Sequence, residues 1–388
     1  MFISTKKAVV LTVFFSLIIF LGFLSTKLDA ATAKDAIKTA AKSAHGAVKS
    51  AAESAQEKFK DLKESMGPPP KTPSHHHDWD TVLQEGKFAY VMYATDMDYL
   101  CNTIINHARL TFHGVKHDQV LIYPKEWDDE MKGKHNYRMM QSVRKDHHRD
   151  LKFRPSELLI STKGETTWGA ALTKLHAFEL TEYSRVLAFD SDSLILRNMN
   201  HYFQAPRAAL AVPRAYWLTE KDSNITNQVL GSHVMLLEPN KGHYRRLVEE
   251  AKTSGNYDME VINHMFKDSA MILPHRGLAL LTGEFRLEDH SKYLAGDDDD
   301  TWDPVAEAAS AYMVHFSDWP LPKPWEHHSD EQWNDALPKC PGDGKRSRRR
   351  RGNRMRRDGD DCPDRVVWKS FYEKYAQERS TQCKFLTE

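Results

Sequence analysis

From residue 86 onward, short apolar runs alternate with longer amphipathic segments, and this pattern limits the possible folds most strongly. The runs Phe88 to Ala94, Gln119 to Tyr123 and Arg185 to Phe189 have the length and composition of buried strands. Leu100 to Phe112 and Lys241 to Thr253 have the apolar spacing of amphipathic helices. Alternating strands and helices are typical of α/β folds. We therefore predict an α/β domain built around a central, mostly parallel sheet.

The same patterns place further elements along the chain. Lys125 to Asp150 is highly charged and is predicted to be helical or partly loop. Apolar periodicity predicts helices at Leu172 to Leu180 and Met259 to Phe266, and strands at Ala208 to Val212, Val234 to Leu237 and Ala311 to Phe316.

The N-terminus carries a membrane signal. Lys6 and Lys7 precede an uncharged run from Ala8 to Leu24 that is rich in Val, Leu, Ile and Phe. We predict a cytoplasmic tail at 1–7 and a transmembrane signal anchor at 8–26, with the rest of the chain translocated as in a single-pass type II protein. A cleaved signal peptide ending near Ala30 is the alternative.

Residues 27–85 are predicted to form a stem. Ala30 to Ser65 is rich in Ala, Lys, Ser and Glu and has too few large apolar residues to build a core. Met66 to Pro70 breaks any helix, and Lys71 to His77 continues as a polar linker. We therefore expect one folded domain at 86–388, with a core at 86–330 and a C-terminal extension.

Charge and cysteine content exclude little. The 54 basic residues balance the 54 acidic ones, so the net charge gives no reason to expect nucleic acid as a partner. The four cysteines are too few for a disulfide scaffold. Cys340 and Cys362 flank the basic run Lys345 to Arg357, and whether they form a disulfide is left open. That run is predicted to be a solvated loop, with contact to an anionic acceptor or lipid headgroups as the alternative.

Asp190 and Asp192 directly follow the predicted strand Arg185 to Phe189. Two carboxylates at the carboxyl edge of a sheet can share one divalent cation, and hard oxygen ligands suit magnesium or manganese bridging a diphosphate. The same Asp-x-Asp spacing recurs at five other places, but only this pair lies between two apolar runs. The alternative is that the two aspartates merely cap a turn.

The segment Leu172 to Leu196, which contains this pair, strongly resembles the central block of glycosyltransferase family 8, the glycogenin-like enzymes. Tyr93 to Tyr99, His315-Phe316 and Lys323 to Trp325 extend the resemblance over roughly residues 86 to 330. Fungal members with an anchor and a stem, including those described as N-acetylglucosamine transferases, look especially similar. The resemblance implies a GT-A fold, a UDP-sugar donor, Mn²⁺ or Mg²⁺, retention at the anomeric carbon, and a luminal domain on a Golgi or ER membrane.

Residue roles follow from the same resemblance. Thr95, Asp96 and Tyr99 match the loop that holds uracil and ribose, although Tyr99 could also be a core aromatic. Lys174 matches a lysine that faces the donor diphosphate or sugar and is predicted to be catalytic and donor-binding. Its alternative is an exposed helix lysine.

The resemblance also assigns the metal ligands. His315 matches the third ligand beside Asp190 and Asp192, and Ser191 between them is assigned to the donor site. Lys323 matches a lysine that contacts the departing diphosphate, but the spacing between it and His315 is longer than in glycogenin.

The positions around the transferred sugar depart from the glycogenin pattern. Asp258 matches the aspartate of the Asp-Gln block near the sugar, but Met259 replaces the glutamine, so Glu260 is the second catalytic candidate. Gly231-Ser232-His233 stands where glycogenin-like enzymes have Asn-Ser-Gly. These differences indicate a donor sugar or an acceptor unlike those of glycogenin.

The expected function is therefore transfer of a sugar from a UDP-sugar, with UDP-N-acetylglucosamine and UDP-glucose as candidates, to a glycan or glycoconjugate acceptor. Two alternatives stand beside it. The first is a non-catalytic luminal protein that kept the fold and binds glycans or nucleotides, and the second is an unrelated metal-dependent phosphohydrolase. The sequence does not indicate an oligomeric state.

Overall fold

The computed structural model describes residues 86–147, 150–163, 169–218, 228–294, 301–341 and 362–387. These residues all belong to one compact unit, Asp78–Glu388. The predicted tail, anchor and stem, and the basic run Lys345 to Arg357, lie outside the described residues and stay predictions. Among the described residues, no helix is both long enough and apolar enough to cross a membrane.

Within the described parts of the chain, ten strands form two sheets. The larger sheet has seven strands in the order β3-β2-β1-β4-β7-β6-β8, and the smaller has three in the order β5-β10-β9. The strands are β1 Phe88–Tyr93, β2 Asp118–Pro124, β3 Leu151–Ser156, β4 Arg185–Phe189, β5 Ser193–Ile195, β6 Leu210–Pro213, β7 Val234–Leu237, β8 Met271–Leu273, β9 Ala279–Leu281 and β10 Met313–His315.

The larger sheet is mostly parallel, as predicted, and contains one antiparallel strand. Strands β3, β2, β1 and β4 pair in parallel, and β6 pairs in parallel with β8. Strand β7 runs antiparallel to both of its neighbours, β4 and β6. The α/β class is therefore confirmed, and among the described strands of this sheet β7 alone runs against the others.

The helices that were predicted begin and end close to the expected positions, although the segment around Lys174 is a different type of helix. Helix α1 begins three residues earlier than expected because the side chain of Asp96 accepts a hydrogen bond from the Tyr99 amide and caps it. Ala170–Glu179 is a 3-10 helix instead of an α-helix. The α-helices are α1 Met97–Phe112, α2 Lys134–His147, α3 Lys241–Ser254, α4 Asp258–Phe266, α5 Pro304–Ser310, α6 Asp330–Ala336 and α7 Pro363–Gln382.

Two apolar clusters cover the two faces of the large sheet. Alternate residues of β1 point into different clusters: Tyr90 and Met92 belong to one, and Ala89 and Val91 to the other. The first cluster also contains the aromatic residues of α7, a helix that the sequence patterns above do not include. The C-terminal extension is therefore part of the main core.

Two disulfides close the fold. Cys340 pairs with Cys362, which answers the question that the sequence left open, and Cys101 in α1 pairs with Cys383 directly after α7. The second pair joins residues 282 positions apart in the sequence, so spacing alone does not reveal it. The four cysteines thus form two disulfides, which add to the apolar core and do not replace it.

Candidate active site

Asp190 and Asp192 lie where the two sheets meet. All five residues of β4 are buried, and this strand ends directly before Asp190. Strand β5 begins directly after Asp192 and belongs to the smaller sheet. The Asp190 amide donates to the His233 carbonyl at 2.9 Å, and the Phe316 amide donates to the Asp192 carbonyl at 3.0 Å. The backbone therefore fixes both aspartates between two neighbouring strand ends.

His315 completes a cluster with these carboxylates. It is the last residue of β10 and pairs with Ser193 in the small sheet, which places it beside Asp192. Its Nε2 lies 3.2 Å from Asp192 Oδ1 and 3.9 Å from Asp190 Oδ2. One ligand atom from each of the three residues lies within 4.8 Å of the other two. Two carboxylate oxygens and one imidazole nitrogen form a suitable donor set for a divalent cation such as Mn²⁺.

Two lysines contact the opposite oxygens of the same carboxylates. Lys174 Nζ forms an ion pair with Asp190 Oδ1, and Lys323 Nζ lies 2.7 Å from Asp192 Oδ2. The oxygens that face His315 are therefore those that the lysines do not contact. This arrangement leaves one oxygen of each aspartate available to a cation while both lysines stay in place.

Asp258 extends the network on the other side of Lys174. Lys174 Nζ lies 2.8 Å from Asp258 Oδ2, and the Ser232 hydroxyl donates to that same oxygen. Asp258 is the first residue of α4 and is buried. Lys174 therefore bridges Asp190, which follows β4, and Asp258, which was predicted to lie near the transferred sugar.

Burial and charge set the ionisation of these groups. Burial would favour the neutral amine of Lys174, but Asp190 and Asp258 outweigh it and raise its pKa. Burial would also raise the pKa of Asp192, but Lys323 and His315 outweigh it and hold that pKa well below its usual range. Burial raises the pKa of Asp190, an effect that Lys174 opposes. The site therefore keeps a charged lysine and an ionised Asp192 at neutral pH.

An aromatic wall adjoins the aspartates. The Tyr93 hydroxyl donates to Asp190 Oδ1 at 3.1 Å. The ring of Tyr99 lies 6.4 Å from that of Tyr93 and meets Trp325 edge-on at 5.3 Å. Trp325 follows Lys323 by two residues, so the loop that carries the lysine also carries part of this wall.

The remaining predicted residues have different positions. Thr95 is partly exposed at the end of β1, and Asp96 is exposed and caps α1. Ser191 is fully buried, and its hydroxyl donates to the Tyr93 carbonyl, which joins β1 to the turn after β4. Glu260 caps α4 and lies 2.7 Å from Lys163. The structure gives Glu260 no contact with the lysines or aspartates of the cluster.

Residues without a predicted role also line the site. His233 is buried, and its ring lies 5.8 Å from that of His315 and 5.7 Å from that of Trp217. Burial lowers the pKa of His233 well below its usual value, so its ring is neutral. A methyl group at Gly231 would lie 2.9 Å from Cε1 of His233, so glycine allows the close approach. The departure from the glycogenin pattern at Gly231-Ser232-His233 is the sequence signal that points to His233.

Comparison with known proteins places the chain in a family. No protein-family model matches it. Glucose N-acetyltransferase 1 of Aspergillus fumigatus is 36% identical over 337 residues, which cover 82% of this chain and 83% of that protein. Glucose N-acetyltransferase 1 of Gibberella zeae is 37% identical over 302 residues, which cover 76% of this chain but only 62% of the relative.

The chain belongs to the fungal glucose N-acetyltransferase 1 family. A shorter stretch of 90 residues is 36% identical to glycogenin-1 of Caenorhabditis elegans and covers 23% of this chain and 19% of that protein. These relatives confirm the resemblance to the glycogenin-like glycosyltransferases of family 8. The chain spans 62% of the length of the Gibberella relative.

Solved structures show a weaker likeness. A galactosyltransferase, LgtC, solved with donor and acceptor sugar analogues, is 14% identical and matches with a TM-score of 0.45, covering 67% of this chain and 99% of that chain. The glycosyltransferase GlyE of Streptococcus pneumoniae is 15% identical with a TM-score of 0.41, covering 75% of this chain and 64% of that chain. The family assignment therefore rests on the sequence relatives.

Proposed function

We propose that the protein is a metal-dependent, retaining glycosyltransferase with a GT-A fold. Its donor is a uridine diphosphate sugar, with N-acetylglucosamine and glucose as the candidate sugars, and its acceptor is a glycan or glycoconjugate. The observation that carries this proposal is the convergence of Asp190, Asp192 and His315 with Lys174 and Lys323 at one edge of the sheet.

This set of charges suits a diphosphate leaving group. Mn²⁺ or Mg²⁺ held by the two aspartates and His315 would neutralise the departing nucleoside diphosphate. Lys323 supplies a positive charge from the neighbouring loop without occupying the oxygens that face His315. Preformed charges of this kind need little rearrangement when negative charge develops on the leaving group.

Asp258 is suited to the sugar side of the reaction. Burial alone would raise its pKa, but the charge of Lys174 and the hydrogen bond from Ser232 outweigh that effect and lower it. A carboxylate with a lowered pKa is a weak proton acceptor at neutral pH. We therefore assign to Asp258 the electrostatic support of a positively charged anomeric centre and the orientation of the acceptor hydroxyl.

The aromatic wall supports a nucleoside subsite. Tyr99 is partly buried beside Trp325 and sits in the first turn of α1, within three residues of the exposed Asp96. An aromatic face and a carboxylate are suited to base stacking and to ribose hydroxyls. The cluster of Asp190, Asp192 and His315 adjoins this wall through the hydrogen bond from Tyr93 to Asp190. The base and the diphosphate would therefore occupy neighbouring parts of one cleft.

We also propose a Golgi or ER membrane location, with the catalytic domain in the lumen. The two disulfides support an oxidising compartment. Asn224-Ile225-Thr226 is a glycosylation sequon, and it lies in 219–227, outside the described residues. An increase in the mobility of the full-length protein on a gel after endoglycosidase treatment is expected; unchanged mobility of the wild type and of Asn224→Gln would count against a luminal domain.

The test of activity uses purified full-length protein and UDP-N-acetylglucosamine or UDP-glucose labelled in the sugar ring. We expect Mn²⁺-dependent release of UDP and transfer of the ring label to an acceptor glycan. Asp192→Asn should lose both, and Lys163→Met, which alters an exposed ion pair, should retain both.

The name of the relatives, glucose N-acetyltransferase, describes transfer of an acetyl group, so a second arm tests that reaction. It supplies glucose-containing acceptors with acetyl coenzyme A labelled in the acetyl group. Transfer of acetyl label, without ring-label transfer or UDP release from any UDP-sugar in the first arm, would contradict the proposal.

A further inference from the structure

We propose that the C-terminal helix α7 sets the position of the loop that carries Lys323, and that Asp318 is the positioning residue between them. The inference rests on the proposed function, in which Lys323 contacts the donor diphosphate. Helix α7 lies beyond residue 330, where the resemblance to the glycogenin-like enzymes ends. The contacts of α7 with Asp318 and with α1 indicate its role.

Asp318 is a buried carboxylate that receives hydrogen bonds from two aromatic residues of α7. Trp368 Nε1 donates to Asp318 Oδ1 at 3.1 Å, and the Tyr372 hydroxyl donates to Asp318 Oδ2 at 2.7 Å. Only 3% of Asp318 is exposed to solvent. Burying a carboxylate is costly unless its oxygens are paired, so these donors hold Asp318 against α7.

The backbone of Asp318 begins the loop that reaches the cluster of Asp190, Asp192 and His315. The Asp318 carbonyl accepts hydrogen bonds from the Leu321 amide and from Arg286 Nη1, both at 2.9 Å. Two residues after Leu321, Lys323 Nζ donates to the Phe316 carbonyl at 2.6 Å and to Asp192 Oδ2 at 2.7 Å. The loop therefore runs from an anchor on α7 to the charged group in the site.

Helix α7 also contacts the nucleoside side of the cleft. The Tyr375 hydroxyl donates to Asn102 Oδ1 at 2.6 Å, and Arg379 pairs with Asp98. Both partners lie on α1, the helix that carries Tyr99. The Cys101–Cys383 disulfide ties the end of α7 to the same helix. One helix thus supports both the aromatic wall and the lysine loop.

This support matters because a lysine side chain is flexible. Its ammonium group is a point charge on a stem with four rotatable bonds, so its placement depends on where the backbone holds it. A loop that is fixed before the donor binds lets Lys323 face the diphosphate at little entropic cost. Tyr372 contributes to that fixation through its hydrogen bond to Asp318.

The experiment compares Tyr372→Phe with Tyr183→Phe. Both changes remove a phenol that donates to an aspartate, at 2.7 Å for Tyr372 with Asp318 and at 2.9 Å for Tyr183 with Asp118. Asp118 is the first residue of β2 and lies at the amino end of that strand, whereas the site lies beyond the carboxyl end of β4. Tyr183→Phe is therefore a matched control. Thermal unfolding measured for both variants controls for a general loss of stability.

The first readout is amide hydrogen exchange in residues 316–326, which needs no ligand. Tyr372→Phe should speed exchange of the Leu321 and Glu326 amides about fivefold, the effect of one net hydrogen bond. These amides donate to Asp318 and Lys323 in the anchored loop. Tyr183→Phe should leave them unchanged. Equal exchange in wild type and Tyr372→Phe would overturn the proposal.

The second readout is the affinity for UDP in the presence of Mn²⁺, measured by calorimetry. Tyr372→Phe should weaken binding about fivefold. In a Lys323→Ala background the same change should weaken it by less than about twofold, because the lysine that it positions is gone. Equal losses in both backgrounds would assign Tyr372 a merely structural role and overturn the proposal.

The two readouts separate this inference from the proposed function. Wild-type protein that fails to bind UDP with Mn²⁺ would contradict the proposed donor. The anchoring of the loop by α7 would then be judged by hydrogen exchange alone.

Discussion

Lys174 offers the sharpest test of the charge network, because it is a buried cation between two buried carboxylates. Only 2% of its side chain is exposed, and it pairs with Asp190 and with Asp258. Lys174→Met keeps a side chain of similar length and removes the charge. Removing one partner of a buried ion pair costs about 3–5 kcal/mol. At about 2–4 °C per kcal/mol, the melting temperature should fall on the order of 10 °C.

Lys163→Met is the matched control. Lys163 Nζ lies 2.7 Å from Glu260 Oε1. Glu260 follows Asp258 by two residues on the same helix, but the side chains of Lys163 and Glu260 are 41% and 42% exposed. Exposed ion pairs contribute about 0–1 kcal/mol. The expected change in melting temperature is at most a few degrees. Differential scanning calorimetry without added metal measures both variants, and equal stability of the two would refute the proposed role of Lys174.

The effect of Lys174→Met should also depend on pH. Lys174 outweighs burial and holds the pKa of Asp258 below its ordinary value, so the unfolded chain binds more protons than the folded one at acid pH. That stabilisation is present above the ordinary aspartate pKa and is lost as the pH falls through the folded one. In the variant, burial acts on Asp258 without the lysine and favours the protonated acid. The difference in stability between wild type and variant should therefore be larger near pH 8 than near pH 5.

Three further predictions concern catalysis and the disulfides. Asp192→Asn should lower Mn²⁺-dependent donor turnover more than about 100-fold, which a radiolabel release assay measures; wild-type turnover would argue against its role as a ligand. Asp258→Asn should lower kcat while leaving UDP affinity within a few-fold, and a loss confined to UDP binding would remove it from the sugar side. Breaking the Cys101–Cys383 disulfide should destabilise the protein about 2 kcal/mol more than breaking the Cys340 disulfide, because its loop spans 282 residues instead of 22. Denaturant unfolding of Cys101→Ser and Cys340→Ser measures that difference, and a larger effect of Cys340→Ser would contradict it.

The strands that lie in clear apolar runs were predictable from the sequence, and the polar edge strand and most of the three-residue strands were not. β1 and β4 are continuous buried runs, so their pattern is unambiguous. β3 contains Lys152, Arg154 and Pro155 at the edge of the sheet, where solvent access permits polar residues. β10 lies within the predicted strand Ala311 to Phe316. The other three-residue strands, β5, β8 and β9, are too short for a period to appear, so the small sheet as a whole was not predicted.

The candidate site was predictable where chemistry follows a strand. Asp190 and Asp192 could be selected because β4 precedes them directly. The pairing of Lys174 with Asp258, and the anchoring of Asp318 by α7, depend on contacts between segments far apart in the chain. Such contacts arise only when the sheet is assembled. The sequence therefore indicated which residues have suitable chemistry, and the fold determines which of them meet.

The central claim is that Asp190, Asp192 and His315 together hold a divalent cation that binds the donor diphosphate. Anomalous X-ray diffraction from crystals grown with Mn²⁺ and UDP tests it most directly. We expect one manganese peak within bonding distance of both carboxylates and of His315 Nε2, with the UDP diphosphate on its open side. A diphosphate bound elsewhere, or a manganese peak away from these three side chains, would contradict it.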